Sequence, residues 1–243
     1  MKTETNARFK INDFIYDEIR EKNISSPTIV PIVAETYSQC YEDIIIESLF
    51  RAAVASGKIK QENITYIDIG ANHPISTSAS YLFYKHYGIT GILVEANPDL
   101  IQELKTTRPK DTIIESAVVT TDVAAVDFYI GNDTEVSGLL VDVVDNWKQQ
   151  KHKQRLTVPA MRINNVLKQS RGKHIILTID VEGYDYEILN DIDFDTYSPW
   201  LIQVEPSDWI ISGNSNRIAN LLSKKGYHLI SETDVNQLYI KLL

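Results

Sequence analysis

From residue 64 onward, short β-branched runs alternate with helical stretches, and this alternation limits the fold more than any other feature. The runs are "ITYIDIG" (64–70), "GILVEA" (91–96), "TIIESAVV" (112–119), "AAVDFYI" (124–130), "HIILTIDV" (174–181) and "WLIQVEP" (200–206). Helical spacing separates several of them, at 76–87, 98–107 and 215–225, and Pro98 with Asp99 opens the second. "HIILTIDV" is nearly all apolar, as a parallel strand buried on both faces tends to be. The expected class is α/β: a doubly wound, mostly parallel sheet with helices on both faces. "YHLISET" (227–233) and "NQLYIKLL" (236–243) lie close enough to form a hairpin, which places an antiparallel strand at or near one edge.

Upstream of this pattern, residues 8–24 show helical spacing through Phe9, Ile11, Phe14, Ile15 and Ile19, broken by Pro27 and Pro31. A second helix is expected over 38–56, with Ser38 as its N-cap and Gly57 at its end. The division is therefore a helical extension over 1–60 and a ligand-binding domain over 61–243. Residues 1–35 read equally as a lid, a dimer arm or a substrate adaptor, so a homodimer stays open. Net charge is −9, which speaks against nucleic acid as a partner. Cys40 is the only cysteine, so neither an intrachain disulfide nor a cysteine zinc site is available. The polar start has no apolar signal core, and no apolar run approaches the roughly 18 residues of a membrane span. The expected location is cytoplasmic.

Four of the strands end in carboxylates. Asp68 and Gly70 end one, Glu95 the next, Asp180 with Glu182 a later one, and Glu205 the one after. Any one of them alone reads as well as a cap of the following turn or helix. Unpaired buried carboxylates are costly. Four at equivalent strand ends point to a polar cleft, because ligands of such sheets bind beyond the carboxyl ends of the strands. The dinucleotide fingerprint G-x-G-x-x-G is absent, and so is a phosphate-cradling G-x-x-x-x-G-K-[ST] loop. An acidic, phosphate-poor loop suits a ligand with a positive centre. Glu95 lies 25 residues after Gly70, close to the spacing at which an acid meets ribose hydroxyls. A ribose without phosphate, a sulfonium and an amine together describe S-adenosylmethionine.

The segments "YSQCYEDIII" (37–46), "DIGANHP" (68–74), "LVEANP" (93–98), "ESAV" (115–118), "IDVEGYDYEIL" (179–189) and "VEP" (204–206) resemble, in order and spacing, the FkbM-type family of class I S-adenosylmethionine-dependent methyltransferases. The resemblance covers roughly residues 36–243. It implies a Rossmann-like sheet and methyl transfer to oxygen, often on a hydroxyl of a sugar or glycan, so the expected acceptor is a carbohydrate or a glycosylated small molecule. It also implies site residues. Asp68, Gly70 and Asn72 would line the methionine and ribose side. Glu95 would take the ribose hydroxyls, with Asn97 nearby, and Ser116 and Ala117 would flank the adenine. Asp180 and Glu182 would sit beside the methyl group. Gln39, Glu42 and Asp43 would approach the amino-acid end, or else form a solvated first helical turn. Pro74 stands where many relatives carry a second glycine, and it stiffens the loop.

Methyl transfer needs an aligned acceptor hydroxyl and a group to take its proton. Asp180 is the first candidate for base or orienter, then Glu205 and His73. A loop histidine that only bonds backbone is the plainer reading of His73. Asp180, Glu182, Asp185 and Glu205 are also hard oxygen ligands of the kind that Mg²⁺ or Ca²⁺ accepts. The favoured reading is without metal, with Asp185 facing solvent. The loop 132–140 is a candidate acceptor loop, and Asp208 and Trp209 are candidate acceptor contacts. Tyr81, Tyr84 and Tyr87 read as packing more readily than as a sugar-stacking wall. The basic stretch 146–156 is either a solvated face or a receiver for an anionic acceptor. A catalytically inactive methyltransferase fold is the alternative function, and the missing glycine fingerprint speaks against a nicotinamide oxidoreductase.

Overall fold

A computed structural model describes residues 35–132 and 135–242. The helix expected over 8–24 lies outside them. Tyr37–Leu243 cluster as one compact unit, so the helix α1 (Glu42–Ala55) belongs with the sheet. The elements that follow are β1 (Ile64–Ile69), α2 (Tyr81–Tyr87), β2 (Ile92–Glu95), α3 (Pro98–Thr107), β3 (Thr112–Glu115), β4 (Ala117–Val119), β5 (Ala125–Ile130) and α4 (Val141–Asn146). Then come β6 (Gln154–Arg162), α5 (Ile163–Leu167), β7 (His174–Ile179), α6 (Asp185–Asp191), β8 (Leu201–Val204), α7 (Asn214–Lys224), β9 (Tyr227–Glu232) and β10 (Gln237–Lys241).

Seven strands form the main sheet in the order β3-β2-β1-β7-β8-β10-β9. The first five are parallel to one another, and β10 runs antiparallel to both β8 and β9. The hairpin therefore inserts its second strand between β8 and β9, one place in from the edge. This is the Rossmann-like, mostly parallel sheet that the alternation predicts.

β1 and β7 are nearly all apolar because both of their faces are covered. On one face Ile67, Ile69, Leu177 and Ile179 pack with Ile188 of α6 and with Ile218 and Leu222 of α7. On the other, Tyr66, Leu93 and Ile176 pack with Ile46 and Phe50 of α1 and Phe83 of α2. α1 starts at Glu42 rather than Ser38, after Tyr41 in a left-handed conformation. Ser38 still serves the helix start, accepting a bond from the Asp43 N–H and donating one to its carboxylate.

Two elements differ from the sequence reading. The run 112–119 breaks at Ser116 into β3 and β4. The Ser116 N–H donates to the Glu95 carbonyl, while its hydroxyl donates to the carbonyls of Ala117 and Pro159, so the chain leaves the main sheet there. β4 then joins a three-stranded sheet, β4-β6-β5, which the sequence did not announce. Its central strand β6 carries Pro159 and is mostly open to solvent, which hides the apolar alternation of a strand. The helix expected over 76–87 forms only from Tyr81. Residues 72–80 instead wrap the end of β1, with Asn72 and Thr77 in left-handed conformations.

Candidate active site

β2, β1, β7 and β8 are neighbours in the sheet, so Asp68, Glu95, Asp180 and Glu205 lie along one rim. A cleft of about 1060 Å³, open mouth included, runs beyond the ends of these strands. Asp68, Gly70, Asn72, Glu95, Ser116, Ala117, Asp180, Glu182 and Gln39 all line it.

Gly70 sets the geometry where β1 turns into the cleft. Its φ is +81°, and a Cβ there would lie 1.8 Å from the backbone oxygen of Asp180. The N–H groups of Gly70 and Ala71 donate to the carbonyl of Val94, which ties the turn to β2. Asp68 is buried and accepts bonds from the hydroxyls of Ser80 (2.7 Å) and Thr178 (2.6 Å). Glu95 accepts the N–H of Asn72 at 2.8 Å and that of Asn97 at 2.7 Å. Burial holds the Glu95 carboxyl above the usual range, against the pull of these N–H groups.

Behind Asp68 stands a residue that the sequence reading missed. Arg108 is fully buried and pairs with Asp111 at 2.8 Å. It also donates to the Pro74 carbonyl, the Tyr66 hydroxyl and the Ser80 hydroxyl. Its guanidinium lies 5.3 Å and 4.7 Å from the ring centres of Tyr81 and Tyr84. Those two tyrosines thus cover Arg108, and Tyr87 packs on Phe50. Aromatic density around one Arg–Asp pair was the available signal, and it reads equally well as core. Phe128 of β5 is the other missed residue, since its strand belongs to the unannounced sheet. It lines the cleft with Leu100 and Val118 near Ser116 and Ala117.

Four expected site residues lie outside the cleft lining: Asp43, Asn97, His73 and Glu205, the last buried beside Asp180 and Glu182. Asp43 is fully buried and accepts bonds from the Tyr37 N–H, the Ser38 hydroxyl and the Ile44 N–H, so it builds the entry to α1. Glu42, its neighbour, ties Cys40 to Thr233 and Asn236 of the final hairpin, so neither is a solvated helix turn. Asn97 caps α3 by accepting the Asp99 N–H. His73 holds its own turn: its Nδ1 accepts the N–H groups of Ile75 and Ser76, and its Nε2 is 3.5 Å from Glu103. The nitrogen lone pair a base would use is therefore engaged away from the cleft.

At the β7–β8 end, oxygens of Asp180, Glu182 and Glu205 lie within 4.8 Å of one another. Burial, then the negative charges of Glu205, Glu182 and Asp185, raise the Asp180 carboxyl well above its usual range. Asp185 does not face solvent. It is fully buried and accepts the N–H groups of Val181 and Gly183 at 3.0 Å, and burial pushes it up to about 8. The loop after β5 closes this end, with Glu135, Ser137, Gly138 and Leu139 in the lining. A Cβ on Gly138 would be 3.4 Å from that of Glu182. Asp208 caps α7 through Ser215, while Trp209 is 53% exposed and its ring centre is 4.9 Å from that of Trp147.

An acid-rimmed, apolar-walled cleft beyond the carboxyl ends of the parallel strands is where a doubly wound sheet binds its ligand. The model of the methyltransferase FkbM domain matches residues 68–229, and the chain belongs to that family. S-adenosylmethionine is its methyl donor. Among solved structures, the chain is similar to the N-terminal domain of human METTL16 in complex with SAH, at 8% identity over 91% of this chain and 77% of that one, with a TM-score of 0.43. It is also similar to a TehB-like SAM-dependent methyltransferase from Corynebacterium glutamicum, at 11% identity over 82% and 98%, with a TM-score of 0.37. A third is a mutant of MtNAS in complex with S-adenosylmethionine, at 12% identity over 97% and 76%, with a TM-score of 0.36. Similarity of this degree carries no statement about residues or ligands. No curated protein sequence matches the chain.

Proposed function

We propose that the chain moves a methyl group from S-adenosylmethionine to a hydroxyl of a sugar or glycosylated small molecule. The observation that carries this reading is the division of one cleft into two acidic ends. Asp68 and Glu95 stand at one end, and Asp180 with Glu182 at the other, beside Glu205. The residues fit the donor. Glu95 keeps lone pairs for ribose hydroxyls while backbone N–H groups fix its orientation. Leu100, Val118 and Phe128 offer apolar walls for a base. Gly70 leaves open the space that a Cβ would fill. When bound, the donor would supply an electrophilic methyl carbon on a sulfonium, with the thioether as leaving group. Asp180 and Glu205 orient the hydroxyl and take up its proton, and the loop over 135–139 excludes water from that end. Among the described residues no helix is long and apolar enough to cross a membrane.

The test is transfer of labelled methyl to a panel of sugars and glycosides, with Asp180→Asn beside wild type. The expected result is a labelled O-methyl sugar, and a kcat lower by about 10²–10⁴ in the variant, with S-adenosylhomocysteine affinity retained. Cofactor binding without any sugar product would overturn the acceptor class.

A further inference from the structure

We propose that Asp180, Glu182 and Glu205, together with the side-chain carbonyl of Gln203, form a binding site for one hard divalent cation of the Mg²⁺ or Ca²⁺ type. Two independent observations meet here. The first is spacing. Oxygens on opposite sides of one ion are about 4.2 Å apart around Mg²⁺ and about 4.8 Å around Ca²⁺. The three carboxylate oxygens lie within 4.8 Å of one another, inside the span of a single coordination shell. They come from the ends of two paired strands, so the backbone brings them together rather than flexible stems.

The second observation is Gln203. It is 7% exposed, and its Oε1 is buried without a hydrogen-bond partner among the described residues. A buried amide oxygen in that state costs free energy until something binds it. Gln203 lines the same cleft as Asp180 and Glu182. It pairs with Thr178 across the β7–β8 ladder and is two residues before Glu205, so the side chains of Gln203 and Glu205 leave one face of the sheet. A neutral carbonyl oxygen in the same cleft as two of the three carboxylates, and two residues before the third, would complete an all-oxygen donor set, the kind hard cations take and zinc or copper do not favour. The open cleft leaves the remaining positions to water or to an acceptor diol.

The site stands on geometry alone, and only its chemical role rests on the methyl-transfer reading. In that role the ion would bind the acceptor's oxygen and ease loss of its proton.

The experiment is titration of the chelator-treated full chain with Mn²⁺, followed by electron paramagnetic resonance, with Mg²⁺ and Ca²⁺ as competitors. One saturable Mn²⁺ is expected, displaced by Mg²⁺ or Ca²⁺. Glu182→Gln should weaken it at least tenfold. Gln203→Met, which keeps the volume and removes the oxygen, should also weaken it while leaving thermal stability equal or higher. Glu62→Gln, on the exposed turn before β1 and outside the cleft, should leave it unchanged. Absence of saturable binding up to millimolar Mn²⁺, or binding that Glu182→Gln and Gln203→Met leave intact, would overturn the proposal. Calorimetry of S-adenosylhomocysteine in chelator on the same samples separates the two readings. If the cofactor binds while Mn²⁺ does not, the cation site alone is lost; if Mn²⁺ binds while the cofactor does not, the methyl-transfer reading is lost.

Discussion

Replacing Gly70 by alanine tests how the cleft is built, and Gly57 supplies the control. Both have left-handed backbones, at φ +81° and +73°. An L-residue in that conformation costs about 1–2 kcal/mol. At Gly57 nothing lies within 4 Å of the added carbon, so strain is the whole cost. At Gly70 the carbon would stand 1.8 Å from the Asp180 carbonyl oxygen, where contacts under 3.0 Å essentially never occur. Backbone cannot swing aside as a side chain can. The β1 turn and the end of β7 must part by about an ångström or more. That strains the bond from the Asp180 N–H to the Ile69 carbonyl, now 3.0 Å. Losing it adds about 1 kcal/mol, for a total near 3 kcal/mol. For a chain of this size each kcal/mol moves the melting temperature by about 2–4 °C. Scanning calorimetry should show Gly57→Ala lower by about 3 °C and Gly70→Ala by at least about twice that. Isothermal calorimetry should show S-adenosylhomocysteine at least tenfold weaker for Gly70→Ala and unchanged for Gly57→Ala. Equal melting temperatures with unchanged cofactor affinity would refute the reasoning.

Arg108→Ala should destabilise the fold by about 3–5 kcal/mol, because it leaves Asp111 buried and unpaired. Urea denaturation reads this directly, and Arg108→Ala/Asp111→Asn should recover part of the loss. The apo protein should lose stability as pH rises. Asp180, Glu95 and Asp185 all have raised carboxyl values in the folded state, Asp185 at about 8. The folded chain thus keeps protons that the unfolded chain releases near pH 4. Their stabilising effect is whole below that point and is lost as pH climbs toward 8. Melting temperatures between pH 5 and 8 should fall; a rise or a flat profile would contradict the burial of these groups.

The main sheet was legible because β1, β2, β7 and β8 are buried on both faces, and such strands show as unbroken apolar runs. The same burial made the rim legible: a carboxylate closing an apolar strand stands out, and Asp68, Glu95 and Asp180 do so. β6 was not legible, because a half-exposed strand with Pro159 inside carries little pattern. With it went Phe128, whose place in the cleft depends on that second sheet. The sequence does not show that Asp43 and His73 bond to their own backbone turns, for one shared reason. A carboxylate or imidazole has the same identity in the sequence whether it holds a ligand or its own backbone. Only the hydrogen bonds from Tyr37, Ser38 and Ile44, and those from Ile75 and Ser76, separate the two. Arg108 and Gln203 lay beyond sequence reasoning because their significance comes from hydrogen-bond partners that meet only in the fold, present for Arg108 and lacking for the Gln203 Oε1 among the described residues.

The most direct test of the cofactor cleft is calorimetric binding of S-adenosylhomocysteine to wild type and to Glu95→Ala. The structure predicts binding to wild type and its collapse in the variant, since Glu95 faces the cleft with its orientation fixed by Asn72 and Asn97. Folded wild-type protein that fails to bind, or a Glu95→Ala variant that binds as tightly as wild type, would contradict the assignment of this cleft to the methyl donor.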